Sequence, residues 1–369
     1  MLSCIIKKTS KQINKISKLS KAIILATRYR KFIKKYKMAF LHFAYSQGNL
    51  VNVFMASYLS KSVKLIKMAK LNSENNGPIL LCAVKNDLER VQLQLEHHRK
   101  IGIKHFAYID NMSNDNTFEW LNEQNDVSLF IVEEIFNVTK KNAWRKQVMD
   151  FLGYDKWYLI LDSDELFVYP GIETLPINVY IDFCERNNVR NVLSPMIDMY
   201  SRSELFGKYK DTSKITDNYC YFDVDTYTIS NGRILGGPRS RLFSTEEKHF
   251  SPLLKKYALN KVSDSILIGT HENYPPKKLE SDGAIAFILH YKFLPEDKLK
   301  YRNNVASQLY WNKSSEYKKY LTNLNQNPEL TFFYPGSQKL NDSKDLMKIN
   351  IIDKYFFEMF FKWAGLKNS

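Results

Sequence analysis

Trp157-Tyr158-Leu159-Ile160-Leu161 is a short apolar run that stops abruptly at Asp162-Ser163-Asp164-Glu165. Three carboxylates then fall within four residues, and apolar residues resume at Leu166-Phe167. A run this short and this apolar reads as a strand buried on both faces. Like charges crowded at its end repel, and burying them unpaired is costly. A divalent cation would relieve both problems. Asp162 and Asp164 stand at i and i+2, so an extended chain points both the same way, toward a single hard cation. The plainer reading is a solvated acidic turn at a helix N-terminus, where carboxylates favour the helix dipole.

The surrounding pattern gives this strand its context. Asn72-Ser73-Glu74-Asn75-Asn76-Gly77-Pro78 reads as a linker. After it, apolar runs alternate with amphipathic stretches. Ile79–Val84 reads as a strand ending in Lys85-Asn86-Asp87, followed by a helix through Lys100 that Gly102 stops. Residues 104–109 read as a second strand, ending in the polar loop Asp110-Asn111-Met112-Ser113-Asn114-Asp115-Asn116-Thr117. A short helix with Phe118, Trp120 and Leu121, a strand at 127–132 and a helix at 140–153 lead to the strand at 157–161. This order predicts an α/β fold with a mainly parallel, doubly wound sheet flanked by helices. Ligands of such sheets bind beyond the carboxyl ends of the strands. Three polar clusters would therefore converge on one rim.

Further along, 177–186 reads as a helix and 189–193 as a strand. Gly236-Gly237-Pro238-Arg239-Ser240-Arg241 combines a flexible turn with two arginines that would face one side of a strand. Residues 266–269 precede Thr270-His271-Glu272. The apolar run 284–289 ends in His290-Tyr291-Lys292, and Pro295-Glu296-Asp297 opens a helix. Residues 351–363 are amphipathic and aromatic. The expected division is a basic helical extension at 1–75, a catalytic domain at 76–310, and a mostly helical segment at 311–369 packed on that domain.

The charge is unevenly distributed. The chain of 369 residues carries a net charge of +15, yet residues 1–70 hold 16 Lys and Arg and no acid. The rest carries 38 basic and 39 acidic side chains, which argues against a nucleic-acid-binding body. Leu19, Ile23, Ala26, Tyr29, Ile33 and Tyr36 form one helical stripe among lysines. Such a helix suits an anionic membrane surface, or packs on the body as a solvated arm. Residues 38–60 are interrupted by His42, Gln47, Asn49 and Asn52, so no transmembrane helix is expected. Val51, Phe54, Tyr58, Leu65 and Ala69 suggest a second amphipathic helix. Cys4, Cys82, Cys184 and Cys220 show neither zinc nor disulfide spacing, in keeping with a reducing cytoplasmic setting, peripheral to the inner face of the membrane.

Lys85-Asn86-Asp87, His97-His98-Arg99-Lys100-Ile101-Gly102, Asp110-Asn111-x-Ser113-x-Asp115-x-Thr117, Asp162-Ser163-Asp164-Glu165, the Gly236-Gly237 segment and Leu289-His290-Tyr291-Lys292 follow in a specific order. In that order they resemble the glycosyltransferase family 2-like proteins of the GT-A fold, in the subgroup related to family 92. Asp87 stands where the family usually has Glu. The resemblance implies a nucleotide-sugar donor, Mn²⁺ or Mg²⁺, and transfer to a saccharide or lipid-linked acceptor. The transfer would be inverting and would serve surface polysaccharide or lipopolysaccharide synthesis. It implies that Asp162 and Asp164 hold the cation, with His290, or His271 as runner-up, completing its shell. Asp110, Asn111 and Asp115 would bind base or ribose. Lys85, Asn86, Asp87, Arg145, Arg239 and Arg241 would serve the rest of the donor. Glu272 and Asp198 are the candidates for the base that deprotonates the acceptor. Two other readings are a nucleotidyltransferase and a non-catalytic scaffold or nucleic-acid binder using the basic arm. The first would want a Gly-rich loop, and Cys82-Ala83-Val84-Lys85-Asn86 has no glycine.

Overall fold

The computed structural model describes residues 61–71, 77–207, 214–244, 250–263, 267–269, 271, 273–274, 286–309, 311–351 and 354–366. The expected basic helix within 1–37, the segment 38–60, the linker residues 72–76 and Glu272 lie outside the described residues.

The large sheet is built from β1 (Lys64–Lys67), β2 (Ile79–Val84), β3 (His105–Asp110), β4 (Val127–Ile131) and β5 (Lys156–Leu161). β6 (Glu165–Val168), β7 (Asn191–Leu193), β8 (Met196–Asp198), β9 (Tyr257–Val262) and β10 (Phe287–His290) follow. Helices α1 (Leu88–Lys100), α2 (Thr117–Glu123), α3 (Val138–Leu152) and α4 (Ile177–Arg186) connect and flank the strands. The strand order is β1-β4-β3-β2-β5-β9-β7, with β4, β3, β2 and β5 mutually parallel. β1 and β9 run antiparallel to their neighbours. The fold is thus an α/β fold with a mixed, mainly parallel seven-stranded sheet flanked by helices.

The apolar runs of β2 to β5 are explained by burial on both faces. In β2, Leu80, Cys82 and Val84 join Val91 and Leu95 of α1. Ile79 and Leu81 face the other way, with Trp144, Val148 and Met149 of α3.

One part of the sequence reading is corrected. Leu65 and Ala69 do not continue a helix, because Lys64–Lys67 is the edge strand paired with β4. Pairing satisfies backbone groups that helical spacing alone cannot assign. The mainly parallel sheet expected from the sequence is present, with β9 inserted antiparallel between β5 and β7. Its buried Asn260 is met there by Asn273, which also donates to Asn191 at 2.9 Å.

A smaller sheet, β6-β10-β8, places the site residues in one row. His290 lies opposite Glu165 on β6 and Asp198 on β8. Among the described residues no strand pairs with the outer edge of β6. α1 takes that role, as His97 Nε2 donates to the Phe167 carbonyl at 2.8 Å, and His98 Nε2 accepts from the Phe167 N–H at 3.2 Å. Gln94 donates to the carbonyls of Asp162 and Glu165. The polar residues of α1 therefore hold the acidic turn in place.

Helices α5 (Gly237–Phe243), α6 (Asp297–Ser307), α7 (Trp311–Gln326) and α8 (Lys354–Trp363) complete the body. Gly236 opens α5 with φ 103°, and a Cβ there would meet the Thr226 carbonyl oxygen at 2.2 Å. α8 buries Phe356, Phe357, Phe360 and Phe361, packing Phe360 against Tyr180 and Phe183 of α4. Among the described residues no helix is long and apolar enough to cross a membrane.

Burial gives the fold an acid sensitivity. It pushes His98 well below its usual range, and His105, bonded to Ser128 at 2.9 Å, down to about 4. A folded-state value depressed below the unfolded value of about 6.5 gives stability that is present above pH 6.5 and lost as pH falls toward 4. Urea midpoints should therefore drop between pH 7 and pH 5. His105→Gln should remove about 2 kcal/mol of that drop. An unchanged pH dependence in the variant would contradict a neutral His105.

Candidate functional site

The parallel strands β2, β3 and β5 end on one rim. Val84 lies opposite Asp110, and Cys82 opposite Leu161. Asp110 and Asp162 therefore stand about two strand spacings apart, roughly 10 Å. Lys85-Asn86-Asp87, Asp110-Asn111 and Asp162-Ser163-Asp164 follow these ends, so the expected convergence is present in the fold.

The acidic turn carries its own counter-charges. Asp162 Oδ1 accepts from Lys141 at 2.8 Å and from Arg145 at 2.7 Å, both on α3. Burial alone would raise this carboxyl, but Lys141, Lys256 and Arg145 hold it well below the usual range. The Asp162 N–H donates to Glu165 Oε2 at 2.7 Å, and Lys256 pairs with the same Glu165 oxygen. Burial still raises Glu165. Glu165 thus closes the turn and begins β6; no helix follows for it to cap. Protein cations thus already offset much of the crowding at Asp162 and Glu165.

Asp164 differs. Its Oδ2 lies 3.3 Å from His290 Nε2, and His290 Nδ1 bonds Asp198 Oδ1 at 2.6 Å. Burial would depress His290, but Asp164 and Asp198 raise it to about 9. Burial likewise opposes ionisation of Asp164, and His290 and Arg90 overcome it. Behind the pair, Asp198 Oδ2 accepts from Arg239 Nε at 2.7 Å, and Arg239 reaches Glu316 at 3.0 Å. Lys292 also donates to Glu316, at 2.9 Å. On the other side, Ser163 Oγ bonds Asp87, which pairs with Arg90 at 3.1 Å and Lys300 at 3.3 Å. Arg90 also pairs with Asp297 and donates to the Tyr291 carbonyl at 3.0 Å.

Several predicted residues take different positions from those expected. Arg239 and Arg241 lie on α5, not on a strand, and turn to different carboxylates, Arg241 to Asp223 at 3.0 Å. Arg239 is buried and bonded to Asp198 and Glu316, with its Nη2 unpartnered, and Arg241 is partly exposed beside Asp223, so the two do not share one face. Asp198, the other expected base, is buried and bonded on one oxygen to Arg239 and on the other to His290. His271 Nδ1 bonds the Lys255 carbonyl at 3.1 Å, near Lys256 and Asp162, and burial pushes it down to about 4. Asn86 clasps the 111–116 loop, accepting from the Asn114 N–H at 2.7 Å. Asp115 is exposed and accepts from the Thr117 N–H at 2.9 Å. Lys85 is exposed at the rim.

Unpartnered polar atoms mark the same rim. Asp110 Oδ2, Asn111 Oδ1, and Arg145 Nε and Nη1 are buried with no hydrogen-bond partner. Each such atom costs about 1–3 kcal/mol unless a ligand or water meets it. Asp110 Oδ1 accepts from the Ser113 N–H, and Asn111 Nδ2 donates to the carbonyls of Val132 and Glu134. Both side chains are therefore fixed in orientation with an acceptor to spare. Burial raises the Asp110 carboxyl.

Sequence reasoning missed Lys141, Lys256 and Arg90. Lys141 was within reach, because Lys141 and Arg145 stand at i and i+4 on one helix face. Lys256 was not, since only the β9 insertion brings it to Glu165.

Among the described residues no group of three or more His, Cys, Asp or Glu is arranged to hold a metal ion. The Asp164–His290 pair still suits one. Its 3.3 Å separation is near the roughly 3.0 Å expected for adjacent ligands of an octahedral ion with bonds of about 2.1 Å. Asp198 bonds the other imidazole nitrogen, the arrangement that orients a ligating histidine. Asp198→Asn should cost about 3 kcal/mol, because it removes one of the two charge partners of buried Arg239 and leaves only Glu316. Asp164→Asn, whose side chain is 27% exposed, should cost less. Equal losses in urea denaturation would contradict the different roles.

No family model matches the sequence, and neither does any curated protein. Three solved structures resemble the chain distantly. Residues 1–349 of S. aureus TarS are 15% identical over 37% of this chain and 39% of that one, with a TM-score of 0.26. Mannosyltransferase PcManGT from Pyrobaculum calidifontis, in complex with GDP-Man and Mn²⁺, is 14% identical over 46% and 48%, with a TM-score of 0.25. HddC from Yersinia pseudotuberculosis is 11% identical over 60% and 97%, with a TM-score of 0.30. The chain spans less than half the length of the first two.

Proposed function

We propose that the chain is a metal-dependent glycosyltransferase that moves a sugar from a nucleotide-sugar donor to a saccharide or lipid-linked acceptor. The observation that carries this reading is the Asp164–His290 pair, backed by Asp198, on the rim that also holds the unpartnered acceptors of Asp110 and Asn111. Asp164 and His290 Nε2 would hold Mn²⁺ or Mg²⁺, with the carboxylate as the ligand that suits these hard ions. The ion supplies positive charge to a departing nucleoside diphosphate.

The chain's own residues support the rest. Asp110 Oδ2 and Asn111 Oδ1 accept from the N–H or O–H groups of a nucleoside. Arg145 has two unpartnered donor nitrogens for base or ribose oxygens. Lys141 and Lys256 add positive potential beside Asp162, whose side chain is 28% exposed. Asp198 holds the imidazole by its Nδ1 side, so Nε2 keeps its direction. Glu272 is the proposed base for an inverting transfer, since both oxygens of Asp198 are already bonded. The same chemistry would serve surface polysaccharide or lipopolysaccharide synthesis.

The test is thermal denaturation of the full chain with a panel of nucleoside diphosphates, with and without Mn²⁺. One of them should raise Tm by several degrees with Mn²⁺, since ligand at a hundredfold its Kd adds about 2.7 kcal/mol. Asp164→Asn should abolish that shift. The same nucleotide should be released from its sugar conjugate in an acceptor-dependent assay. No shift with any nucleotide, or an equal shift in the variant, would contradict the proposal.

A further inference from the structure

β1 is the free edge of the large sheet among the described residues. In and after it, Leu65 is 39% exposed, Ile66 44%, Met68 43% and Leu71 39%. Lys61, Lys64 and Lys70 are exposed beside them, with Lys64 also paired to Glu133 at 2.7 Å. Leu65 lies opposite Phe130 across the ladder, and directly opposed residues share a face. Phe130 in turn packs edge-on against Phe151 at the end of α3, which is 56% exposed. The apolar surface therefore extends from the sheet edge onto α3.

Lysines alone are an ordinary protection of a sheet edge against pairing with another chain. Five large exposed apolar side chains beside them do not serve that purpose, and clustered apolar exposure marks an interaction surface. Apolar groups interleaved with lysines match a bilayer interface, where the side chains enter the headgroup boundary and the ammonium groups meet anionic lipid. The charge continues in sequence, since residues 1–70 hold 16 Lys and Arg and no acid. The direction of β1 adds a second constraint. It is antiparallel to β4, so Lys64 lies opposite Ile131, which itself lies opposite Asp110. The Lys64 end of β1 thus stands at the rim that carries the candidate site, and Ala69 and Lys70, bonded to Ser128 and Asn125, lie toward the opposite end of β4.

We propose that residues 61–71, with Phe151, form a docking surface for an anionic lipid bilayer along the β1 edge of the sheet, with its Lys64 end at the rim of the site. This surface is independent of the reaction proposed above. The test is flotation of the full chain with vesicles of phosphatidylcholine plus phosphatidylglycerol, and of phosphatidylcholine alone. The wild type should float only with the anionic vesicles. The triple variant Ile66→Gln, Met68→Gln, Leu71→Gln should partition roughly tenfold less, with an unchanged melting temperature and an unchanged response to nucleoside diphosphates. Wild-type partitioning by the variant would overturn the proposal, as would a wild type that floats with neither vesicle. Lipid-free self-association that the variant abolishes would also overturn it, by assigning the edge to a second copy of the chain.

Discussion

Buried carboxylates at the end of a strand must be neutralised, and this structure is arranged around that requirement. The turn after β5 puts Asp162, Asp164 and Glu165 within a few ångströms of one another. α3 answers with Lys141 and Arg145, and the segment before β9 with Lys256. β10 supplies His290, α1 supplies Arg90, and α5 supplies Arg239 one step behind. Partners separated by up to some two hundred positions are drawn together by charge that has few other ways to be stabilised away from water. The small sheet then fixes the order of the row, with His290 between Glu165 and Asp198.

The two ends of the turn are balanced differently, and that difference points to chemistry. Asp162 and Glu165 are matched by lysine and arginine, which stay charged and hold the turn closed. Asp164 is matched by an imidazole, whose proton Asp164 and Asp198 hold more tightly than usual and which a metal ion would have to displace. A side chain chosen only for charge balance would more simply be another lysine. Asp198 and Arg239 add a buried second row whose effect is to orient that imidazole.

Much of the fold was legible in the sequence. β2 to β5 and α1, α3 and α4 appear within about two residues of where the apolar runs and helical spacing put them, because those segments are buried against local neighbours. The antiparallel strands were harder. β9 is Tyr-Ala-Leu-Asn-Lys-Val, whose Asn260 is accommodated only by Asn191 and Asn273 from distant segments. β6 is short and starts with an acid, so nothing local distinguishes it from a turn. β1 was hidden by spacing that suits a helix equally well. In the site, Asp162 and Asp164 could be singled out from crowding alone. Their true partners could not, since Lys256 and Arg90 depend on tertiary pairing, and Arg239 and Arg241 depend on a seven-residue helix that a glycine pair permits.

The central claim is that Asp164 and His290 together hold the cation on which donor chemistry depends. Electron spin echo spectroscopy of Mn²⁺ bound to the full chain with a nucleoside diphosphate tests it directly. The account predicts nitrogen coupling from one directly bound imidazole, lost in His290→Gln, and phosphorus coupling from the diphosphate. A bound Mn²⁺ with no nitrogen coupling, or with coupling that survives His290→Gln, would contradict it.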